Sequence, residues 1–108
     1  MTVKQLLQNP SFSEIALPCP ERQIKGVYIG DLLSWVMSRA SENDVWLTVM
    51  GNINSIGVAV LADVACIVLT ENASLDDDAK KRALENDVII LTTSKNSYQI
   101  ASEISKLI

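Results

Sequence analysis

The chain has 108 residues, with 9 Lys plus Arg against 13 Asp plus Glu, no His and 48% apolar residues, for a formal charge of −4. That length predicts one domain with a self-sufficient core, and the negative charge gives no electrostatic footprint for a phosphate backbone, so nucleic acid is not an expected partner. The lack of imidazole excludes Ser-His-Asp and Cys-His catalysis and His-ligated zinc.

Taken in chain order, Thr2 to Gln8 reads as a short helix capped by Thr2 and stopped by Asn9-Pro10. Glu14 to Leu17 reads as an extra strand, and Pro18-Cys19-Pro20 then forces an extended or turn conformation. From there short β-branched runs alternate with helical patterns, which predicts an α/β domain of the three-layer type. Its sheet is mostly parallel, with about four to five strands. The first unit is the strand Val27 to Ile29, then Gly30-Asp31 as a cap for a helix with Leu32, Val36 and Ala40 on one stripe. The second is the strand Val45 to Val49, closed by Met50-Gly51-Asn52 and followed by a helix from Asn54 to Asp63. That helix has almost no polar face, so it must be covered on more than one side. The expectation is that it also lies in a self-association interface.

The third unit is the strand Cys66 to Leu69, then a helix from Leu75 to Glu85 capped by Ser74. Asp76, Asp77 and Asp78 sit at the positive end of its dipole, each facing Lys80, Lys81 or Arg82 four residues on. These three carboxylates fan around a helix and read as a solvated surface, so no metal is expected there. The fourth unit is the strand Val88 to Leu91, then a C-terminal helix with Ile100, Ile104 and Ile108 on one stripe. Asn96 and Gln99 form a capping box at its start. No internal repeat, low-complexity segment or linker divides residues 1–108, so one domain is expected throughout.

Residues 1–10 lack the apolar stretch of a secretory signal. The longest apolar tract, Ile56 to Leu69, carries Asp63 and falls short of the roughly 20 apolar residues that span a bilayer, so no membrane association is expected. Cys19 and Cys66 stand outside any C-x-x-C pair, which fits a reducing cytoplasm. Cys66 opens a strand and reads as a small core residue, whereas Cys19, between two prolines, is the thiol to inspect for reactivity. There is no G-x-x-x-x-G-K-[ST] and no G-x-G-x-x-G, so no nucleotide-phosphate cradle of either kind and no cofactor is expected.

In open parallel sheets ligands bind outside the carboxyl ends of the strands. The loops there contribute Gly30 and Asp31, then Gly51, Asn52 and Asn54, then Thr70, then Thr92, Thr93 and Ser94, a polar rim suited to a small anionic or nucleotide-like ligand. The same residue types cap helices and make turns in any α/β protein. Trp46 sits within a strand run and reads as core, whereas Trp35, with Ile56 and Val60, is an interface candidate.

The stretch GVYIGDLLSWVMSRASENDVWLTV, followed by NSIGVAVLADVACIVLT and ending TTSKNSYQIASEI, resembles the DRTGG domain family from about residue 24 onward. The resemblance implies a non-catalytic α/β module, of a kind joined to phosphotransacetylases or to regulatory pyrophosphatases beside CBS domains. It also implies similarity in fold to the N-terminal domain of HPr kinase/phosphorylase, and self-association. Relatives tend to carry Thr-Gly-Gly where this chain has Thr70-Glu71-Asn72, and Pro where Thr93 stands. Glu71 adds a negative charge that would repel a phosphate.

The first functional reading is a stand-alone regulatory or adaptor module, a homodimer that acts on a partner protein and senses a small ligand. The alternative is a nucleotide or phosphorylated-metabolite binder that uses the polar rim. Phosphoryl transfer needs a phosphate cradle and metal-bound carboxylates, neither of which the motifs supply, so the chain is not expected to be an enzyme.

Overall fold

A computed structural model describes all 108 residues, with a radius of gyration of 12.0 Å. In chain order the elements are α1 (Val3–Leu6), β1 (Ser13–Ala16), β2 (Gly26–Ile29), α2 (Leu33–Arg39), β3 (Asp44–Thr48), α3 (Ile53–Ala62), β4 (Cys66–Leu69), α4 (Asp77–Glu85), β5 (Ile90–Thr92) and α5 (Ser97–Ser105). The strands form one sheet in the order β1-β5-β4-β3-β2. Strands β2 to β5 are mutually parallel, and β1 joins the far edge antiparallel to β5 with a register shift between Glu14 and Ala16.

The strands β3 and β4 are buried along their whole length, as runs covered on both faces must be. Alternate side chains feed two cores. On one side Trp46, Ile67, Leu69 and Ile90 meet α2, α3 and α4, and on the other Val45, Leu47, Cys66, Val68 and Leu91 meet α1 and α5. The result is three layers. All crossovers from β2 to β5 lie on the α2–α4 side, and after β5 the chain returns to the face on which α1 packs.

Local sequence explains most boundaries. Thr2 with Gln5 and Asn96 with Gln99 form complete capping boxes on α1 and α5. Asn52 caps α3 by accepting from the amides of Asn54 and Ser55. Two expected caps do not form. The Asp31 carboxylate turns to Thr48 and Val49, and α2 starts after Leu32 with no side-chain cap. Ser74 lies before α4, whose N-cap position is Asp76, again without a side-chain bond. Ile100 and Ile104 are fully buried, but α5 ends at Ser105 and Ile108 is exposed.

The returns from helix to strand are short and turn on left-handed residues other than glycine. Asn43 (φ 67°), Asp63 (φ 55°) and Asp87 (φ 56°) precede or adjoin β3, β4 and β5, and Asn and Asp tolerate this region best among non-glycine residues. The tetrapeptide Glu-Asn-Asp-Val occurs at 42–45 and again at 85–88, but the left-handed residue is the Asn in one copy and the Asp in the other. Arg22 locks two of these returns together, donating to Asn43 Oδ1 at 2.9 Å and to the carbonyl and carboxylate of Asp63 at 2.8 Å. No helix is long and apolar enough to cross a membrane.

Candidate functional site

The loops after β2, β3, β4 and β5 gather at one edge of the sheet, as the alternation predicts, but several of their polar groups are spent on one another. Asp31 accepts from the Thr48 hydroxyl at 2.7 Å and from the Val49 amide at 3.0 Å, and the Thr48 oxygen accepts from the Met50 amide. The Ser55 hydroxyl donates to the Met50 carbonyl. The Gly30 carbonyl accepts from the buried Trp46 indole at 2.8 Å, which keeps Trp46 in the core. Asn52 occupies the α3 N-terminus and Asn96 the α5 N-terminus, so the amides of Asn54, Ser55 and Gln99 already have side-chain acceptors.

Gly51 is at this edge for a packing reason. A side chain there would fall on the carbonyl of Ser74, and the Gly51 carbonyl accepts from the Asp76 amide. The glycine thus lets the loops that start α3 and α4 touch. Asn54 and Ser94 are exposed, Thr92 is the last residue of β5, and Thr93 is buried with its hydroxyl oxygen accepting from the Lys95 amide.

The loop after β4 carries the least usual backbone of the chain. Glu71 and Asn72 stand consecutively in the left-handed region, at φ 57° and 56°. These are the two positions where the resemblance leads one to expect glycines, and the conformation accounts for that preference. Their amides donate to the carbonyls of Lys95 and Thr93 at 3.0 and 2.9 Å, closing the gap between the β4 and β5 loops. Beside them Thr70 is fully buried and its hydroxyl has no hydrogen-bond partner.

Lys95, the cation at this edge, is also committed. Its Nζ lies 2.7 Å from Glu103, which further accepts from Ser11 at 2.8 Å and from Asn9 at 3.2 Å. The hydrogen bonds from Lys95 and then Ser11 hold the Glu103 carboxyl down to about 2. The thiols are not activated. Burial pushes Cys66 up to about 12, and burial, then the Asp87 charge, raise Cys19, whose S–H reaches the Asp87 carbonyl at 3.3 Å.

The second group of candidates lies on the helices. Trp35 is half exposed, with the Arg39 guanidinium stacked 3.6 Å above its ring. Val60 is 48% exposed, whereas Ile56 is buried under the sheet and presents nothing to a partner. Most of the apolar character of α3 is explained within the domain, because α3 is the middle helix of three and is flanked by α2 and α4. One stripe stays outside. It includes Gly57 and Leu61, which sequence reasoning missed; their signal is the spacing 54, 57, 61 in a helix without an ionisable residue.

The structure is similar to the crystal structure of the CBS and DRTGG domains of the regulatory region of Clostridium perfringens pyrophosphatase, complexed with its activator, diadenosine tetraphosphate. The TM-score is 0.66 at 15% identity, over 94% of this chain. This chain spans only 44% of that one. A comparison with curated proteins returns no match. The sequence model of the DRTGG domain matches residues 20–107, from the loop before β2 to beyond the end of α5. The chain belongs to the DRTGG domain family.

Proposed function

We propose that this chain is a non-catalytic regulatory module of the cytoplasm that forms a homodimer and acts on a partner protein. The observation that carries this reading is the exposed apolar stripe on α3, where Val60 and Leu61 leave a helix without charges facing water. Family membership supports the regulatory part, since a domain of this fold lies in the regulatory region of a pyrophosphatase. The sequence supports the non-catalytic part, for it holds no imidazole and no phosphate cradle.

The test is the mass in solution by light scattering at tens of micromolar, with the wild type beside Val60→Asp. A dimeric wild type and a folded, monomeric variant are expected. A monomeric wild type overturns the self-association.

A second reading, ligand sensing at the loop edge, is favoured by one observation, the buried and unpartnered Thr70 hydroxyl. The nucleotide on the pyrophosphatase regulatory region makes nucleotides and phosphorylated metabolites the compounds to try. A thermal-shift series on wild type and Thr70→Val decides it. If the hydroxyl serves a ligand, the wild type is stabilised by one compound and the variant is not. If it serves none, removing a buried unpaired hydroxyl raises stability by about 1 kcal/mol and no compound distinguishes the two.

A further inference from the structure

Strands β2, β3 and β4 send their connections to the α2–α4 face, whereas β5 sends the chain to α5 on the other. Because β4 and β5 are neighbours, they are the one pair of adjacent parallel strands whose following loops part to opposite faces. In an open parallel sheet such a parting leaves a crevice outside the carboxyl ends of the two strands. Here the crevice is shut. The Glu71 amide donates to the Lys95 carbonyl at 3.0 Å and the Asn72 amide to the Thr93 carbonyl at 2.9 Å. Both residues reach across in left-handed backbone, at φ 57° and 56°, which disfavours residues that carry a side chain. Thr70 lies at the floor. Its amide continues the ladder by donating to the Thr48 carbonyl at 3.1 Å, so strand alternation puts its side chain on the Val68 side, the side to which the β5 connection departs. The hydroxyl there is fully buried and has no partner. Buried polar groups are nearly always hydrogen-bonded, and the domain's own packing leaves this one over.

We propose that the crevice between the β4 and β5 loops is a binding site for an uncharged nucleobase, seen here closed, with Thr70 at its floor and Glu71 at its rim. This rests on the ligand-sensing reading and deepens it by naming the place and the chemistry. The two walls decide the chemistry. One presents the amides of Glu71 and Asn72, the other the carbonyls of Lys95 and Thr93, and a molecule that parts them must replace both kinds of bond. A phosphate offers acceptors alone, so it would satisfy the first wall and set its charge against the carbonyls of the second. A nucleobase carries donors and acceptors in one plane and satisfies both. Charge points the same way. Lys95 Nζ lies 2.7 Å from Glu103 and is not free for an anion. The exposed Glu71 carboxylate makes no ion pair, repels a phosphate and accepts from a ring N–H, an amino group or a sugar hydroxyl.

The experiment titrates adenosine, guanosine, cytidine and uridine, their triphosphates and inorganic pyrophosphate calorimetrically into wild type, Thr70→Val and Glu71→Gly, each first shown to fold by its melting temperature. One nucleoside is expected to bind at least as tightly as its triphosphate, and pyrophosphate not at all. Thr70→Val weakens that nucleoside tenfold or more. Glu71→Gly narrows its preference over the triphosphate at least threefold, because the repelling charge is gone. Hydrogen exchange on the wild type is a second readout, in which binding changes the protection of the Glu71 and Asn72 amides. A nucleoside that Thr70→Val binds equally well, or that leaves those two amides unchanged, sits elsewhere and overturns the proposal. Binding of triphosphates or pyrophosphate without nucleosides overturns it and leaves the ligand-sensing reading standing. Binding of no compound overturns both.

Discussion

Helices α3 and α4 lie side by side on the same face of the sheet, and their outward surfaces differ in kind. The exposed residues of α4 include Asp77, Asp78, Lys80, Lys81, Arg82 and Glu85, while those of α3 are Asn54, Gly57, Val60 and Leu61. Inward the contrast reverses in scale. The α4 helix buries only the two alanines Ala79 and Ala83, whereas α3 buries Ser55, Ile56, Val58, Ala59 and Ala62. A terminal helix of a layer needs a narrow apolar stripe and can carry charges everywhere else. The middle helix is covered by the sheet and by a neighbour on each flank, so its composition is apolar for reasons internal to the domain. Only its one remaining stripe is informative about partners. Apolarity of a whole helix is therefore a poor guide to an interface, and apolarity at exposed positions is a good one.

Substitutions sharpen this contrast. Ile56→Ala in α3 is expected to cost about 3 kcal/mol, since it empties a fully buried site, while Lys81→Ala in α4 should stay within about 0.5 kcal/mol. Denaturant titration of the pair checks this, and comparable losses would break the distinction. Gly51→Ala, which drives a methyl group into the Ser74 carbonyl where the starts of the two helices touch, should cost about 2 kcal/mol. A smaller loss would mean that the loops move apart freely. Glu71→Gly, just before α4, relieves a left-handed glutamate and should stabilise by about 1 kcal/mol in the same titration.

The opposite face supplies the smallest effect and a control. Glu103 has an ordinary value of 4.5 and is held at about 2 when folded. Because the folded value is depressed, its contribution is complete above 4.5 and is lost as pH falls from there towards 2. Glu103→Gln should flatten the stability–pH curve in that window and leave the α3 and α4 variants' differences unchanged. An unaltered slope would show that the Lys95, Ser11 and Asn9 contacts do not hold in solution.

Particular residues show what was readable from sequence. The Asn96–Gln99 capping box and the Thr2 cap are local patterns that form as expected, and in the structure Gln5 completes a second box with Thr2. Asp31 and Ser74 are equally good caps by residue type, yet neither caps, because distant partners compete. The Thr48 hydroxyl and Val49 amide take Asp31, and the Gly51 carbonyl takes the Asp76 amide at the start of α4. The Asp–Lys pairs expected along α4 do not close either; the three ion pairs of the chain lie elsewhere. Exposed pairs of this kind gain little over hydration, so spacing alone does not secure them. The polar rim was legible as a set of loops at one edge. That several of its polar groups are already bonded to one another was not, since this depends on which loops become neighbours.

The sequence by itself determined the alternation of strands and helices, the three-layer class and the family, because apolar periodicity, turn residues and motif order are properties of short or collinear stretches. Only the tertiary structure decided that α3 stands in the middle of its layer. It also decided that Gly51 is a contact between loops while Gly57 faces open space, and that Glu71 and Asn72 lie in a glycine conformation. These follow from which elements become neighbours once both faces of the sheet are buried, and a residue's neighbours across the sheet are not encoded by its neighbours along the chain.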